Sequence, residues 1–153
     1  MKHKTRIVGG VAATAIALVG AFEGLRLAAY RDPIGIPTIC YGSTKGVKIG
    51  DKATKAECDA LLVDELIEHE QGMRRCLREP DKLTDGQYIA FLSLTYNIGV
   101  GAFCKSTAAK LINAGDMAGA CAQISRWDKA AGIRLPGLVK RRAEERRICE
   151  RGI

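Results

Sequence analysis

Six cysteines, Cys40, Cys58, Cys76, Cys104, Cys121 and Cys149, spread over 153 residues constrain this chain more than any other feature. Cytosolic thiols stay reduced, so a chain with this many cysteines is expected to fold in an oxidising, extracytoplasmic compartment. No CxxC pair occurs, and His3 and His69 are the only histidines, so the spacing does not suit zinc and no metal site is expected. Six cysteines allow about fifteen pairings. The gaps favour the sequential set Cys40–Cys58, Cys76–Cys104 and Cys121–Cys149, because shorter loops lose less entropy on closing. The other connectivities stay open on that argument. Each bridge is worth about 2–4 kcal/mol.

The N-terminus agrees with that compartment. Lys2, Lys4 and Arg6 precede an apolar run, residues 7–22, that carries no charge. Positive residues before an apolar run keep the N-terminus cytoplasmic and mark the chain for the secretion machinery. The run is shorter than the roughly 20 residues of an ordinary spanning helix. It is also weakly apolar, rich in Gly and Ala at positions such as Gly9, Ala13, Ala17 and Gly20. Val19-Gly20-Ala21 offers small residues to a signal peptidase. Cutting there would leave Glu23 near a frayed new terminus, so an uncleaved segment is the better expectation. The domain reading follows: residues 1–22 form a membrane segment, and residues 23–153 a second, folded domain.

Beyond it, Gly35, Pro37, Gly42, Gly46 and Gly50 punctuate short β-prone pieces at residues 38–41 and 47–49, which predicts a small hairpin or sheet. Helical patterns then take over. Thr54 with Glu57, and Thr84 with Gln87, have capping-box spacing. Leu61, Leu62, Leu66, His69, Met73 and Cys76 recur at helical intervals, while Glu65, Glu68 and Glu70 are expected on a solvated face. His69 is expected to be a satisfied boundary histidine. Pro80 interrupts, and a helix from Thr84 is expected to end near residues 97–101. Ser106 or Thr107 starts a short helix that Gly115 stops. Asp116 caps another through Trp127, residues 128–135 form a loop, and Pro136 opens a last, basic helix. The fold class is α+β and predominantly helical, with one β excursion near the N-terminus.

Chemistry concentrates at residues 22–43. Glu23 ends the apolar segment, and Asp32 lies in a Gly/Pro-rich loop, followed by Thr38. Two carboxylates in unlike environments suit glycosidic cleavage, the one in the apolar setting as general acid and the solvated one as stabiliser of positive charge. Thr38 is placed to hydrogen-bond an attacking water. Spacing alone is weak support, because a surface Glu, a loop Asp and a strand Thr occur in most proteins.

The wider pattern is more specific. Glu23-Gly24, Tyr30, Asp32, Gly35, Thr38-Ile39 and Tyr41-Gly42 together resemble the signature of the phage-type lysozymes, glycoside hydrolase family 24. Glu23, eight residues, Asp32, five residues and Thr38 match that family's catalytic spacing. Tyr96-Asn97-Ile98-Gly99 through Gly101-Ala102-Phe103 to Ser106-Thr107 looks like its central stretch. Arg126-Trp127 and the run from Gly137 through Arg141-Arg142 to Glu144 look like its C-terminal elements. The resemblance implies a lysozyme-like fold, with a small β lobe near the N-terminus and a helical lobe. It also implies a muramidase, cutting the β-1,4 bond between N-acetylmuramic acid and N-acetylglucosamine in peptidoglycan and lysing the host. Glu23 is then the general acid, and Asp32 and Thr38 support the attack of water. No cofactor is implied. Tyr96, Asn97 and Ser106 are candidates to bind sugar hydroxyls, against an equally weighted reading as helix caps and core. Arg141 or Arg142 is a candidate to orient Glu23, against a reading as a solvated helix face. Trp127 is expected in the core. Two positions depart from the family: Ser43 follows Tyr41-Gly42 where His is frequent, and Cys40 stands where many members have Gly.

With its N-terminal segment, the chain resembles a signal-arrest-release endolysin. That class is tethered to the host inner membrane facing the periplasm, and becomes soluble there once the segment leaves the bilayer. Few large apolar side chains make leaving lipid less costly, here reversibly through residues 7–22. No cysteine precedes Cys40, so a switch by thiol exchange from the anchor is not expected. A monomer is expected. The +7 formal charge suits an acidic wall polymer or anionic lipid. It equally suits a non-catalytic, basic wall- or nucleic-acid-binding membrane protein, which the ordered motif blocks disfavour; nucleic acid is therefore not expected as a partner. A lytic transglycosylase is the competing enzyme reading, and Asp32 and Thr38 at family spacing favour hydrolysis over it.

Overall fold

The computed structural model describes Arg6, Ile7 and residues 11–152. Lys2 and Lys4 of the expected export signal, and residues 8–10 of the apolar run, lie outside them. The helices are α1 (Ala12–Glu23), α2 (Lys55–Cys76), α3 (Asp85–Ile98), α4 (Val100–Lys105), α5 (Thr107–Ala114), α6 (Met117–Gln123) and α7 (Pro136–Glu150). The strands are β1 (Arg26–Arg31), β2 (Pro37–Cys40), β3 (Lys129–Ala130) and β4 (Ile133–Arg134), in two antiparallel hairpins. The expected α+β, mostly helical class is what forms. Among the described residues no helix is long and apolar enough to cross a membrane.

The chain divides into two compact units, residues 7–67 and a larger one of Arg6 with residues 68–152; α2 runs through both. In the smaller unit Ala15 and Val19 of α1 are buried, while Ala13, Thr14, Ala17 and Ala21 face solvent. The hairpin differs from its expectation. β2 pairs with β1, in the register Tyr30↔Thr38 and Arg31↔Pro37, with an irregularity between Arg26 and Tyr30. Residues 26–31, rich in Ala and Arg, carry little intrinsic β preference, and strand pairing overrides that. Residues 47–49 are not a strand. Val47 N donates to Thr44 O, and Lys48 N to Asp51 Oδ2 at 2.8 Å, so two tight turns fill this stretch. The Thr54–Glu57 capping box forms, with Thr54 N donating to Glu57 Oε2 and Glu57 N to Thr54 Oγ1.

In the larger unit α3 is the central element, buried continuously from Gln87 to Thr95. A helix apolar on all sides belongs inside a core. Its capping box, Thr84 with Gln87, forms as expected, as do the Ser106 and Asp116 caps and the left-handed stop at Gly115. Two departures stand out. Glu70 is fully buried rather than solvated, and it accepts hydrogen bonds from the Arg6 backbone N–H (2.6 Å) and from Tyr88 Oη. Residues 128–135 form the β3–β4 hairpin rather than a loop. Ala131 and Gly132 both take positive φ, the two-residue turn that matches the twist of paired strands, and Leu135 N donates to Asp128 O at 3.0 Å.

The three bridges are the sequential ones: Cys40–Cys58 in the smaller unit, Cys76–Cys104 and Cys121–Cys149 in the larger. They close spans of 18, 28 and 28 residues. On loop entropy each contributes about 3–4 kcal/mol.

Candidate active site

Glu23 is the last residue of α1 because Gly24 follows it. Gly24 takes φ +74 and returns its N–H to Gly20 O, which ends the helix there. A side chain at that φ would be strained, so the Glu-Gly pair places the carboxyl at a helix end. Glu23 is half-buried, and its Oε2 lies 3.7 Å from where a Cβ on Gly42 would stand.

The preceding turn of α1 is seated by the neighbouring residue. A Cβ on Gly20 would lie 3.3 Å from Tyr41 Cε1, so the helix packs tightly on that ring. Tyr41 is itself held: its Oη donates to Asp59 Oδ1 at 2.6 Å, and Lys55 Nζ reaches Asp59 Oδ2 at 2.6 Å. Lys55 and Tyr41 hold the Asp59 carboxyl below the usual carboxylate range. Tyr41 thus packs against Gly20, one helical turn before Glu23, and Gly42 lies beside the Glu23 carboxyl. None of Gly20, Tyr41, Lys55 and Asp59 was singled out as a positioning residue from sequence. Tyr41-Gly42 was legible only as part of a motif, and nothing local links it to α1.

Asp32 sits in the turn between β1 and β2. Its Oδ1 accepts from Ile34 N (3.0 Å) and Ile36 N (2.8 Å), while its own N–H donates to Ile36 O. One carboxylate oxygen therefore organises the hairpin turn. Thr38, buried on β2, donates its hydroxyl proton to Ile36 O at 2.9 Å. With the proton committed there, the Oγ1 lone pairs are what it offers to a third group. Glu23, Asp32 and Thr38 all belong to the smaller unit. Cys40 takes φ +60, a left-handed conformation that suits glycine, which accounts for Gly being acceptable at this turn.

The residues considered for sugar binding lie in the larger unit. Asn97 lines an open groove of about 440 Å³ with Ile98, Trp127, Lys129, Leu135 and Leu138. Tyr96 lies against His69, ring centroids 4.9 Å apart. Ser106 caps α5, accepting from Ala109 N and donating to Phe103 O, and also lines a second groove of about 450 Å³. Trp127, expected in the core, is half-buried and lines both grooves. Arg141 and Arg142 are buried rather than solvated. Glu145 is their partner, at 3.2 Å from Arg141 Nε and 2.8 Å from Arg142 Nε, and it also accepts from Ser93 Oγ at 2.6 Å. The sequence pattern hides this, because the helix reads as uniformly charged.

A helix-borne glutamate beside a β-hairpin that carries an aspartate and a threonine, with a separate helical unit bearing open grooves, is a lysozyme-type arrangement. An endolysin from Escherichia coli O157:H7 phage FAHEc1 shares the fold, with a TM-score of 0.85 at 30% identity over 99% of this chain and 96% of that one. The family described as Phage lysozyme matches residues 20–145, and the chain belongs to it. An endolysin of Acyrthosiphon pisum secondary endosymbiont phage 1 is 40% identical over 88% of this chain and 94% of that protein. A SAR-endolysin of bacteriophage PS119 is 37% identical over 92% and 87%. The chain is accordingly a lysozyme-type enzyme that hydrolyses peptidoglycan.

Proposed function

We propose that the chain is a muramidase in which Glu23 is the general acid. It protonates the oxygen linking N-acetylmuramic acid to N-acetylglucosamine, while Asp32 and Thr38 hold the attacking water. Asp32 accepts one water proton, and the Thr38 oxygen accepts a hydrogen bond from the other. Asn97, Tyr96 and Ser106 bind sugar along the larger unit. The observation that carries this reading is the placement of Glu23 at the end of α1 by Gly24, in one unit with the hairpin that bears Asp32 and Thr38. Glu23→Gln is expected to abolish release of reducing sugar from purified peptidoglycan while leaving the melting temperature within about 1 °C of wild type. Retained hydrolysis would remove Glu23 from this role, and an anhydro product in the wild-type digest would make the enzyme a transglycosylase.

The same reading extends to location. Residues 7–22 hold the chain at the host inner membrane, facing the periplasm, after export by the secretion machinery. They later leave the bilayer, and residues 12–22 of them form α1 together with Glu23. Sixteen residues in a continuous helix span about 24 Å, short of the roughly 30 Å hydrocarbon core, so the tether is a weak one. Because Glu23 follows the tether directly and ends α1, the acid is seated only after release.

A further inference from the structure

Arg6 makes more specific contacts than a solvated residue ahead of a helix requires. Its backbone N–H donates to the fully buried Glu70 at 2.6 Å. Its Nη1 donates to Leu83 O at 2.9 Å, and its Nη2 reaches Asp85 Oδ1 at 2.5 Å. The guanidinium lies 4.2 Å from the centroid of the Tyr88 ring, and Tyr88 Oη donates in turn to Glu70. Arg74 closes the far side, with Nη1 donating to Tyr88 Oη at 3.1 Å and both Nη atoms pairing with Asp81. A carbonyl and a carboxylate placed for two guanidinium nitrogens, over an aromatic face, form a receptor for a planar forked cation.

We propose that this receptor, built by Glu70, Leu83, Asp85 and Tyr88, is a latch that Arg6 can enter only when the N-terminal segment has left the membrane. The proposal rests on the tether reading above. With residues 7–22 in lipid, the basic residues ahead of them stay on the cytoplasmic side, about 30 Å of bilayer away from the exported unit that holds Glu70 and Asp85. Arg6 at the cytoplasmic face and Arg6 in the receptor therefore exclude one another. A contact made in only one of two states shifts the equilibrium towards that state by its full differential affinity. The receptor thus opposes reinsertion, and one of the residues that orient the tether in the membrane becomes the one that secures the released form.

Two variants of the full chain separate this from a merely structural contact. Arg6→Lys keeps the positive charge that sets membrane orientation and loses the fork and the ring stacking. Asp85→Asn leaves the N-terminus untouched and removes one receptor charge. Amide exchange at Arg6 is measured in the soluble protein, and the ratio of released to membrane-bound chain is measured in spheroplasts after depolarisation. Each variant is expected to exchange about three- to tenfold faster at Arg6 and to lower the released ratio by a similar factor. Wild-type exchange in both variants overturns the receptor. Faster exchange with an unchanged released ratio overturns the latch. A wild-type chain that is never membrane-bound overturns the tether reading and the latch with it, while the exchange data still decide whether Arg6 is held.

Discussion

The exposed face of α1 gives the sharpest handle on release. Ala17 and Ala21 are solvent-exposed in the folded chain and line a groove of about 590 Å³ together with Ala13, Ile16, Gly20 and Tyr41. Replacing both with leucine adds three carbons at each position. At roughly 0.8 kcal/mol per buried methylene, the pair favours the lipid-embedded state by up to about 5 kcal/mol. With tenfold per 1.4 kcal/mol, even half of that value shifts the membrane-to-soluble ratio by about 60-fold. The groove leaves room for the new side chains, so the folded form is expected to keep its melting temperature. Ala15→Leu is the contrast. It adds the same three carbons, but Ala15 is buried at 1% exposure, so overpacking destabilises the released fold by about a further 1–3 kcal/mol. Lysis onset after induction, the membrane fraction and thermal melting are measured for wild type, Ala17→Leu/Ala21→Leu and Ala15→Leu. The double variant is expected to stay in the membrane and delay lysis with an unchanged melting temperature, and Ala15→Leu to melt lower. Release of the double variant at the wild-type rate would refute the link between weak apolarity and escape from the bilayer.

Two further substitutions probe the smaller unit. Asp32→Ala removes the acceptor of two backbone N–H groups and is expected to destabilise the hairpin by about 1–2 kcal/mol, whereas Asp32→Asn keeps an acceptor oxygen, melts near wild type and still loses most wall hydrolysis. Full turbidity clearance by Asp32→Asn would show that the charge is not used in the reaction. Asp59, held below the usual carboxylate range by Lys55 and Tyr41, contributes stability that is present above about pH 4 and is lost as the pH falls through its depressed folded value. The melting difference between wild type and Asp59→Asn is therefore expected to shrink from neutral pH towards pH 2, and a constant difference would contradict the assignment.

Local rules made much of this protein legible from its residues alone. Both capping boxes, the Ser106 and Asp116 caps and the stop at Gly115 are decided within four residues of themselves, and all form where the spacing puts them. Loop entropy favoured the sequential cysteine pairs without excluding the others, and the tertiary structure forms them; the ordered motif blocks carried the family. What failed was non-local. Residues 26–31 became a strand only because residues 37–40 pair with them. Glu70 looks like a solvated charge until Arg6 and Tyr88 satisfy it, and Arg141, Arg142 and Glu145, neighbours on one helix, look solvated until Ser93 and the Trp127 carbonyl meet them from elsewhere in the chain. Charge patterning along one helix cannot reveal a partner many residues away, and burial of a charge is decided by that partner. Sequence alone placed Glu23 at the end of the apolar segment and tied it by motif spacing to Asp32 and Thr38. Only the tertiary structure decided where the end of α1 stands, because Gly24 ends the helix, Gly20 packs on Tyr41 and the Glu23 carboxyl lies beside Gly42, and no local periodicity connects residues 41 and 42 to the helix.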